Sequence, residues 1–240
     1  MIAFIGGGLL VFGLRKQECK TWMRVCFIIS TLVCLGSSIF FAGREFFGPN
    51  GFYWVAHRAW GYLIAFPAMV GFTYLGYLLC KDTQNKNLWI VLLIVLAAFV
   101  IALTAGVSLI KVIYHRPRFR AVVNDGLDYY PWYIRCSDYH KLMKEYLVDS
   151  EEFKSFPSGH AASAMGFALV PLFLPVVDKK YEKVQLPVFL CGLAFALLVM
   201  FSRMLVGAHY LSDVSMGALL TTLLIYIAFE VIRSSKKLTI

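Results

Sequence analysis

The sequence predicts an all-α fold, a polytopic membrane bundle of six core transmembrane helices plus a short N-terminal apolar segment. Mean hydropathy is +0.70, and of the 240 residues 60% are hydrophobic and only 15% are charged. A soluble domain of this length is far more polar. Most of its uncharged apolar runs reach the roughly 17–25 residues that a helix needs to cross a bilayer. The six runs are 25–42, 59–80, 88–110, 161–177, 184–202 and 214–229.

The N-terminal apolar segment and the last apolar run are both short for a membrane span. Residues 1–14 are apolar but short, and they lack the basic region and small-residue cleavage site of a secretory signal peptide, so we expect a short extra helix. The last run reaches spanning length if its helix begins near Ala208, which would put His209 and Asp213 at the membrane surface. We expect one domain, 1–240, with a core at about 25–232.

The one sizeable polar region, 111–158, is expected to form an outer loop. Residues 138–148 carry apolar and aromatic side chains at helical spacing, which predicts a short amphipathic helix lying at the interface. These side chains are Tyr139, Leu142, Met143 and Tyr146. The pattern fits equally well an ordered loop with an aromatic belt or a loop that gates access to a site.

Basic residues predict the orientation of the chain and argue against nucleic acid as a partner, although the net charge is +9. They cluster in connections that would all lie on the cytoplasmic side by the positive-inside rule. They are Arg15, Lys16, Lys20, Arg24, Lys81, Lys86, Lys179, Lys180, Lys183, Arg233, Lys236 and Lys237. The connections 43–58, 111–160 and 203–213 would then face the extracytoplasmic side, and we expect a plasma (inner) membrane.

Three segments at the ends of apolar runs hold most of the side chains suited to chemistry: KVIYHRPR at 111–118, FPSGH at 156–160 and SRMLVGAHYLSD at 202–213. Ionisable residues near membrane spans are costly and are usually retained for function. Each segment alone also has an ordinary explanation. Lys111 can be a lysine at a span end whose long side chain reaches the membrane interface. Likewise, Ser158 can be a simple helix cap, and His209 with Asp213 can be a surface or core pair.

The second and third segments each predict a local geometry. Pro157 and Ser158 before a run of small residues predict a helix that begins with Ser158 as its N-cap. The free N–H groups and dipole of such a start attract an anion, and Gly159 permits close approach. His209 and Asp213 are four residues apart, so on a helix they share a face. We expect Asp213 to accept the Nδ1 hydrogen of His209, leaving Nε2 as a nucleophile.

Together the three segments resemble the type 2 phosphatidic acid phosphatase (PAP2) family, in its membrane-bound lipid phosphatase branch. The family pattern is K-x6-R-P, then P-S-G-H, then S-R-x5-H-x3-D. Its positions are matched here by Lys111 and Arg118, by Pro157, Ser158, Gly159 and His160, and by Ser202, Arg203, His209 and Asp213. One position departs, since Phe119 stands where the family has proline, and Arg116-Pro117 is offset by two residues. Spacing favours Arg118 over Arg116. The resemblance spans about 25–232.

The resemblance implies a metal-independent hydrolysis through a phosphohistidine, with no cofactor. Lys111, Arg118 and Arg203 would bind the phosphate oxygens, and Ser158 and Gly159 would add donors. His209 would attack phosphorus, Asp213 would orient it, and His160 would protonate the leaving oxygen. Asp213 is the one acidic residue of this set, too few for a two-metal cluster.

A site at the membrane surface implies a phosphorylated lipid as substrate, with membrane lipids as its surroundings. Candidate classes are phosphatidate, phosphatidylglycerophosphate, polyprenyl phosphates such as undecaprenyl diphosphate, sphingoid phosphates and lipid A phosphates. Two other functions stay open. The same site could pass its phosphoryl group to another lipid as a phosphotransferase, or the chain could be a non-catalytic lipid-binding or transport protein. The sequence does not choose the lipid, mono- or diphosphate, or the oligomeric state.

Overall fold

The fold was analysed in a computed structural model, which describes residues 1–15, 20–46, 58–235 and 238. The described chain contains helices and no strand, which confirms the predicted all-α class. The α-helices are α1 (Ile2–Leu14), α2 (Thr21–Phe46), α3 (Arg58–Cys80), α4 (Leu88–Ile101), α5 (Ile110–Tyr114), α6 (Phe119–Asn124), α7 (Tyr139–Tyr146), α8 (Gly159–Leu169), α9 (Leu174–Val177), α10 (Glu182–Leu205) and α11 (Leu211–Ser234). A π-helix, Ala102–Leu109, joins α4 to α5, and 3-10 turns lie at Ser150–Phe153, Val170–Phe173 and Lys179–Tyr181.

Six helical stretches in the described chain are long and apolar enough to cross a membrane, as the sequence predicts, so this is an integral membrane protein. They are Thr21–Phe40, Tyr62–Cys80, Leu88–Asn124, Gly159–Val177, Lys179–Leu205 and Leu211–Ser234. Helix α1 confirms the short extra apolar helix. Lys16, Lys236, Lys237 and most of the connection 43–58, used above to predict orientation, lie outside the described residues.

The chain forms two compact units. The first contains Met1–Leu96, Val176–Lys179 and Ser235–Ile240, and the second contains Ala97–Pro175 and Lys180–Ser234. That the whole chain acts as one domain stays a prediction. In the first unit α1, α2 and α3 pack against one another. The hydroxyl of Thr83 donates to the carbonyl of Val177 at 2.6 Å, which ties the 81–87 turn to the 176–179 segment.

In the second unit α8 packs against both α10 and α11. The contact is lined by small side chains, which let membrane helices approach closely. The buried members of this cluster are Ala161, Ala164, Ala168, Ala196, Met200, Val214 and Ala218. This packing holds the start of α8 beside the start of α11, where the second and third sequence motifs meet.

The region 111–158 of the second unit, called the outer loop after its predicted side of the membrane, has a small core of its own. Ala121, Leu127, Cys136 and Phe153 are buried together. Helix α7 confirms the amphipathic helix predicted within 138–148. Its apolar face packs on this core through Tyr139, Leu142 and Met143, whereas Tyr146 is 37% exposed. The face that suggested an interfacial helix is therefore covered by the loop itself.

Candidate active site

Helix α8 begins where the sequence predicts. Ser158 is its N-cap, with extended backbone angles, and its hydroxyl accepts a hydrogen bond from the Ala161 amide at 3.4 Å. The Ser158 amide donates to the carbonyl of Asp213 at 2.9 Å. Gly159 and His160 are the first two residues of the helix and are half-buried.

Helix α11 begins later than expected, at Leu211 rather than near Ala208, so His209 lies in the preceding turn. The cause is a reciprocal cap. The Asp213 amide donates to the Tyr210 carbonyl at 3.0 Å, and the Asp213 carboxylate accepts from the Tyr210 amide at 2.9 Å. A side chain in the first turn that reaches back to the capping residue fixes the helix start. The expectation that His209 and Asp213 share a helical face is wrong.

The orientation of His209 is set by a backbone carbonyl. Its Nδ1 lies 2.7 Å from the carbonyl oxygen of Ser155 and 3.7 Å from Oδ2 of Asp213. The predicted Nδ1 hydrogen bond to Asp213 is therefore wrong, because that separation is too long. A carbonyl can only accept, so Nδ1 carries the hydrogen and Nε2 of the neutral ring has a lone pair. The expected tautomer arises from a different acceptor.

Asp213 is the centre of a buried hydrogen-bond network. Its carboxylate accepts from the hydroxyl of Ser155 and from Nη1 of Arg116, in addition to the Tyr210 amide. Asp213 and Ser155 are both fully buried. Sequence reasoning missed Ser155, which no motif marks, although it stands three residues before the capping serine.

Arg116 is fully occupied inside the protein. It is 1% exposed, and besides Asp213 its Nη1 donates to the Ser212 hydroxyl at 2.8 Å. Its Nε donates to the Tyr130 carbonyl at 2.8 Å, and Nη2 donates to the Tyr129 hydroxyl at 3.3 Å. Its guanidinium also lies over the Tyr210 ring, 4.0 Å from the centroid. A guanidinium with these partners has little capacity left for an anion.

The three cations of the family pattern each lie at the end of a helix. Lys111 is in α5, Arg118 is the N-cap of α6, and Arg203 is in the last turn of α10. Nε of Arg118 donates to the Glu151 carbonyl at 2.9 Å, and its Nη2 lies 3.9 Å from the Glu151 carboxylate. Arg118 is thus held by the outer loop through one nitrogen, with a looser ionic contact at another.

The charges of these cations influence one another and the ring of His209. The charges of Lys111 and Arg118 both act on His209, and the charge of Arg203 acts on Arg118. Burial is the main reason that the pKa of His209 falls to about 4. The carboxylate of Asp213 opposes this change, and the two cations add to it. His209 is therefore neutral at physiological pH, as a nucleophile must be.

The rest of the acid–base inventory is small. Within the described residues no group of three or more His, Cys, Asp and Glu side chains could hold a metal ion. Tyr210, next to the nucleophile candidate, has its pKa raised to about 12 by burial. The arrangement can bind an oxyanion, present a neutral imidazole to it, and offer a second histidine, His160, at the start of α8.

A family model described as the PAP2 superfamily matches residues 97–237. The match begins at the first residue of the second compact unit and includes all three motif segments. The first two spans, which fall within the range 25–232 of the predicted resemblance, lie outside the matched range. No curated protein and no solved structure matches the chain.

Proposed function

Because the chain belongs to the PAP2 superfamily, whose members generally hydrolyse phosphate esters, we propose that it is a membrane-embedded lipid phosphatase. It removes the terminal phosphate of a phospholipid or polyprenyl phosphate or diphosphate through a phosphohistidine. The observation that carries this proposal is the state of His209, neutral and protonated on Nδ1, beside the charges of Lys111 and Arg118.

The phosphate is bound by cations and by the start of α8. Lys111, Arg118 and Arg203 neutralise its oxygens and stabilise the charge that develops in the transition state. The Ser158 hydroxyl accepts from the Ala161 amide, which leaves its own hydrogen to donate to the phosphate. The Gly159 amide, at the positive end of the helix dipole, adds a second donor.

Hydrolysis then proceeds in two displacements. The Nε2 lone pair of His209 forms a bond to phosphorus while the bond to the lipid oxygen breaks, and His160 gives that oxygen a proton. The imidazolium that forms keeps its Nδ1 hydrogen on the Ser155 carbonyl, with the Asp213 carboxylate 3.7 Å away to stabilise the charge. Water, deprotonated by His160, attacks phosphorus in the second step, and the bond to His209 breaks.

Six spanning helices support a lipid substrate, because the head group of a membrane lipid lies at the depth where spans end. The second and third motif segments adjoin the ends of such stretches, and the first, 111–118, lies in the last part of the 37-residue stretch Leu88–Asn124. The distribution of basic residues supports an extracytoplasmic site in a plasma (inner) membrane. The active site would then act on lipids of the outer leaflet.

The test is phosphate release by the detergent-purified full-length protein with EDTA present. The substrate panel is phosphatidate, phosphatidylglycerophosphate, undecaprenyl diphosphate, sphingosine phosphate and a soluble phosphate ester. We expect release from at least one lipid, abolished by His209→Ala. The matched control is His140→Ala, which removes an exposed histidine of the outer loop and should retain activity.

Trapping with a substrate labelled on its terminal phosphate should place the label on wild-type protein and not on His209→Ala. More than a few per cent of wild-type release by folded His209→Ala would contradict the nucleophile assignment. Transfer of the label to an added lipid or sugar alcohol, with no free phosphate, would replace hydrolysis by phosphotransfer at the same site.

A further inference from the structure

We propose that Arg116 and Ser155 are positioning residues that hold His209 in its nucleophilic orientation, through the buried carboxylate of Asp213. The inference rests on the proposed role of His209. It adds two residues that the three-motif pattern leaves without a role, and it separates Arg116 from the cations that bind phosphate.

A continuous series of hydrogen bonds connects Arg116 in the outer loop to the imidazole of His209. Nη1 of Arg116 donates to Oδ1 of Asp213, and the Ser155 hydroxyl donates to Oδ2. The Ser155 carbonyl then accepts the Nδ1 hydrogen of His209 at 2.7 Å. Ser155 therefore binds the Asp213 carboxylate through its hydroxyl and the His209 ring through its carbonyl. Its amide donates to the Arg116 carbonyl at 3.0 Å.

The occupied carboxylate explains why the ring is bound by a neutral acceptor. Oδ2 of Asp213 already accepts from the Ser155 hydroxyl and the Tyr210 amide, and it stays 3.7 Å from Nδ1 of His209. A carboxylate freed from Arg116 and Ser155 could turn toward Nδ1 and compete with the carbonyl. The ring would then rotate, and the Nε2 lone pair would no longer point at the phosphorus atom.

Arg116 suits this role because all its described contacts are internal and its charge matches that of Asp213. The two side chains are 1% and 0% exposed. A buried charge left alone is strongly destabilising, whereas removing both members of a pair is often tolerated. The Tyr129 hydroxyl and the Tyr130 carbonyl hold the other nitrogens of Arg116, so the outer loop sets the position of the guanidinium.

The decisive variant is therefore the double substitution Arg116→Met with Asp213→Asn, which leaves no isolated buried charge. Its matched control is Arg120→Met with Glu152→Gln, which removes another ion pair of the same loop, 25% and 12% exposed. The described partners of these two residues do not include His209, Ser155 or Asp213. Ser155→Ala is the second test, because it deletes the hydroxyl and keeps the carbonyl.

We expect the Arg116/Asp213 double variant to lose about 100-fold in kcat, the order of loss that follows from a misplaced reacting group, with little change in KM. The control pair should retain kcat while its melting temperature falls. Ser155→Ala should lose about tenfold in kcat with KM unchanged, because the carbonyl remains but the hydroxyl that ties Ser155 to Asp213 is gone. Arg116→Lys, which keeps a positive charge beside Asp213, should lose less kcat than the double variant.

A readout independent of turnover is the tautomer of His209, followed by ¹⁵N NMR of histidine-labelled protein and assigned with His209→Gln. Wild-type protein should show hydrogen on Nδ1 alone, and the double variant and Ser155→Ala should show a mixture of tautomers. Wild-type kcat and tautomer in either folded variant would overturn the proposal, as would a rise in KM at unchanged kcat.

The two proposals fail in different ways. If wild-type protein releases no phosphate, the proposed function fails, and the tautomer in Ser155→Ala still decides whether these residues position the ring. If the double variant does not fold, Ser155→Ala and Arg116→Lys decide by the same two measurements.

Discussion

Gly217 offers the sharpest test of how closely α11 and the start of α8 must approach. A methyl group at this position would lie 2.2 Å from the carbonyl oxygen of Ser158 and 3.4 Å from the amide of Ala162. Both are backbone atoms, so no side chain can turn away to make room. Gly217→Ala would force the two helices apart by about 1 Å before ordinary contact is restored.

The size of the effect follows from two opposing contributions. Alanine is favoured over glycine in a helix by about 1 kcal/mol, whereas overpacking a tight contact costs about 1–3 kcal/mol. The net change in stability is expected to be a small loss. The change in activity should be larger, because a shift of about 1 Å in the first turn of α8, where we propose that phosphate binds, costs about 100-fold in rate.

The assay is thermal unfolding in detergent together with kcat on the best lipid substrate. Gly106→Ala is the matched control, since it is also a helical glycine of the second unit and a methyl there would lie 3.8 Å from its nearest neighbour, Leu220. It should retain activity and be no less stable than wild type. A Gly217→Ala protein with unchanged turnover would refute the close approach on which the site geometry rests.

Three further predictions concern the ionisable groups. ¹³C NMR of labelled histidine should show His209 titrating near its folded pKa of about 4. Because the unfolded chain takes up this proton near pH 6.5, stability should fall as the pH drops from 6.5 toward 4, and a titration at or above 6.5 would contradict its buried neutral state. Arg118→Ala should lower kcat/KM with little change in melting temperature. Arg116→Ala should lower the melting temperature, because Asp213 is left buried and unpaired. The opposite pattern would exchange the roles of the two arginines. His160→Ala should slow a monoester with a poor leaving group more than a diphosphate, and equal losses would argue against general-acid catalysis.

The spans and the start of α8 could be read from the sequence because each depends on local composition. Uncharged runs of membrane length predict helices wherever they occur, and Pro157-Ser158 before small residues predicts an N-cap. The eight-residue π-helix at Ala102–Leu109 could not be predicted in this way. Its residues are less apolar than those of α4, since they include Thr104, Gly106 and Ser108, but such a composition occurs in α-helices as well.

The network around His209 could not be predicted for a different reason. Every residue has a backbone carbonyl, so no pattern of residue types could single out that of Ser155 as the acceptor. Spacing favoured Arg118 over Arg116 as the phosphate-binding cation but gave Arg116 no role of its own. That role depends on Tyr129 and Tyr130, which only the fold of the outer loop brings to Arg116.

The short stretch 155–158 is bonded to 209–213 at both of its ends. At one end Ser155 binds the ring of His209 and the carboxylate of Asp213, and at the other the Ser158 amide binds the Asp213 carbonyl. The ring of His209 and the first turn of α8, which are the attacking group and the phosphate-binding turn of the proposed mechanism, are therefore held to one another by hydrogen bonds. Under the proposed function, we expect relatives that act on other substrates to keep these bonded segments and to diverge on the outward faces of the helices and on the far side of the outer loop.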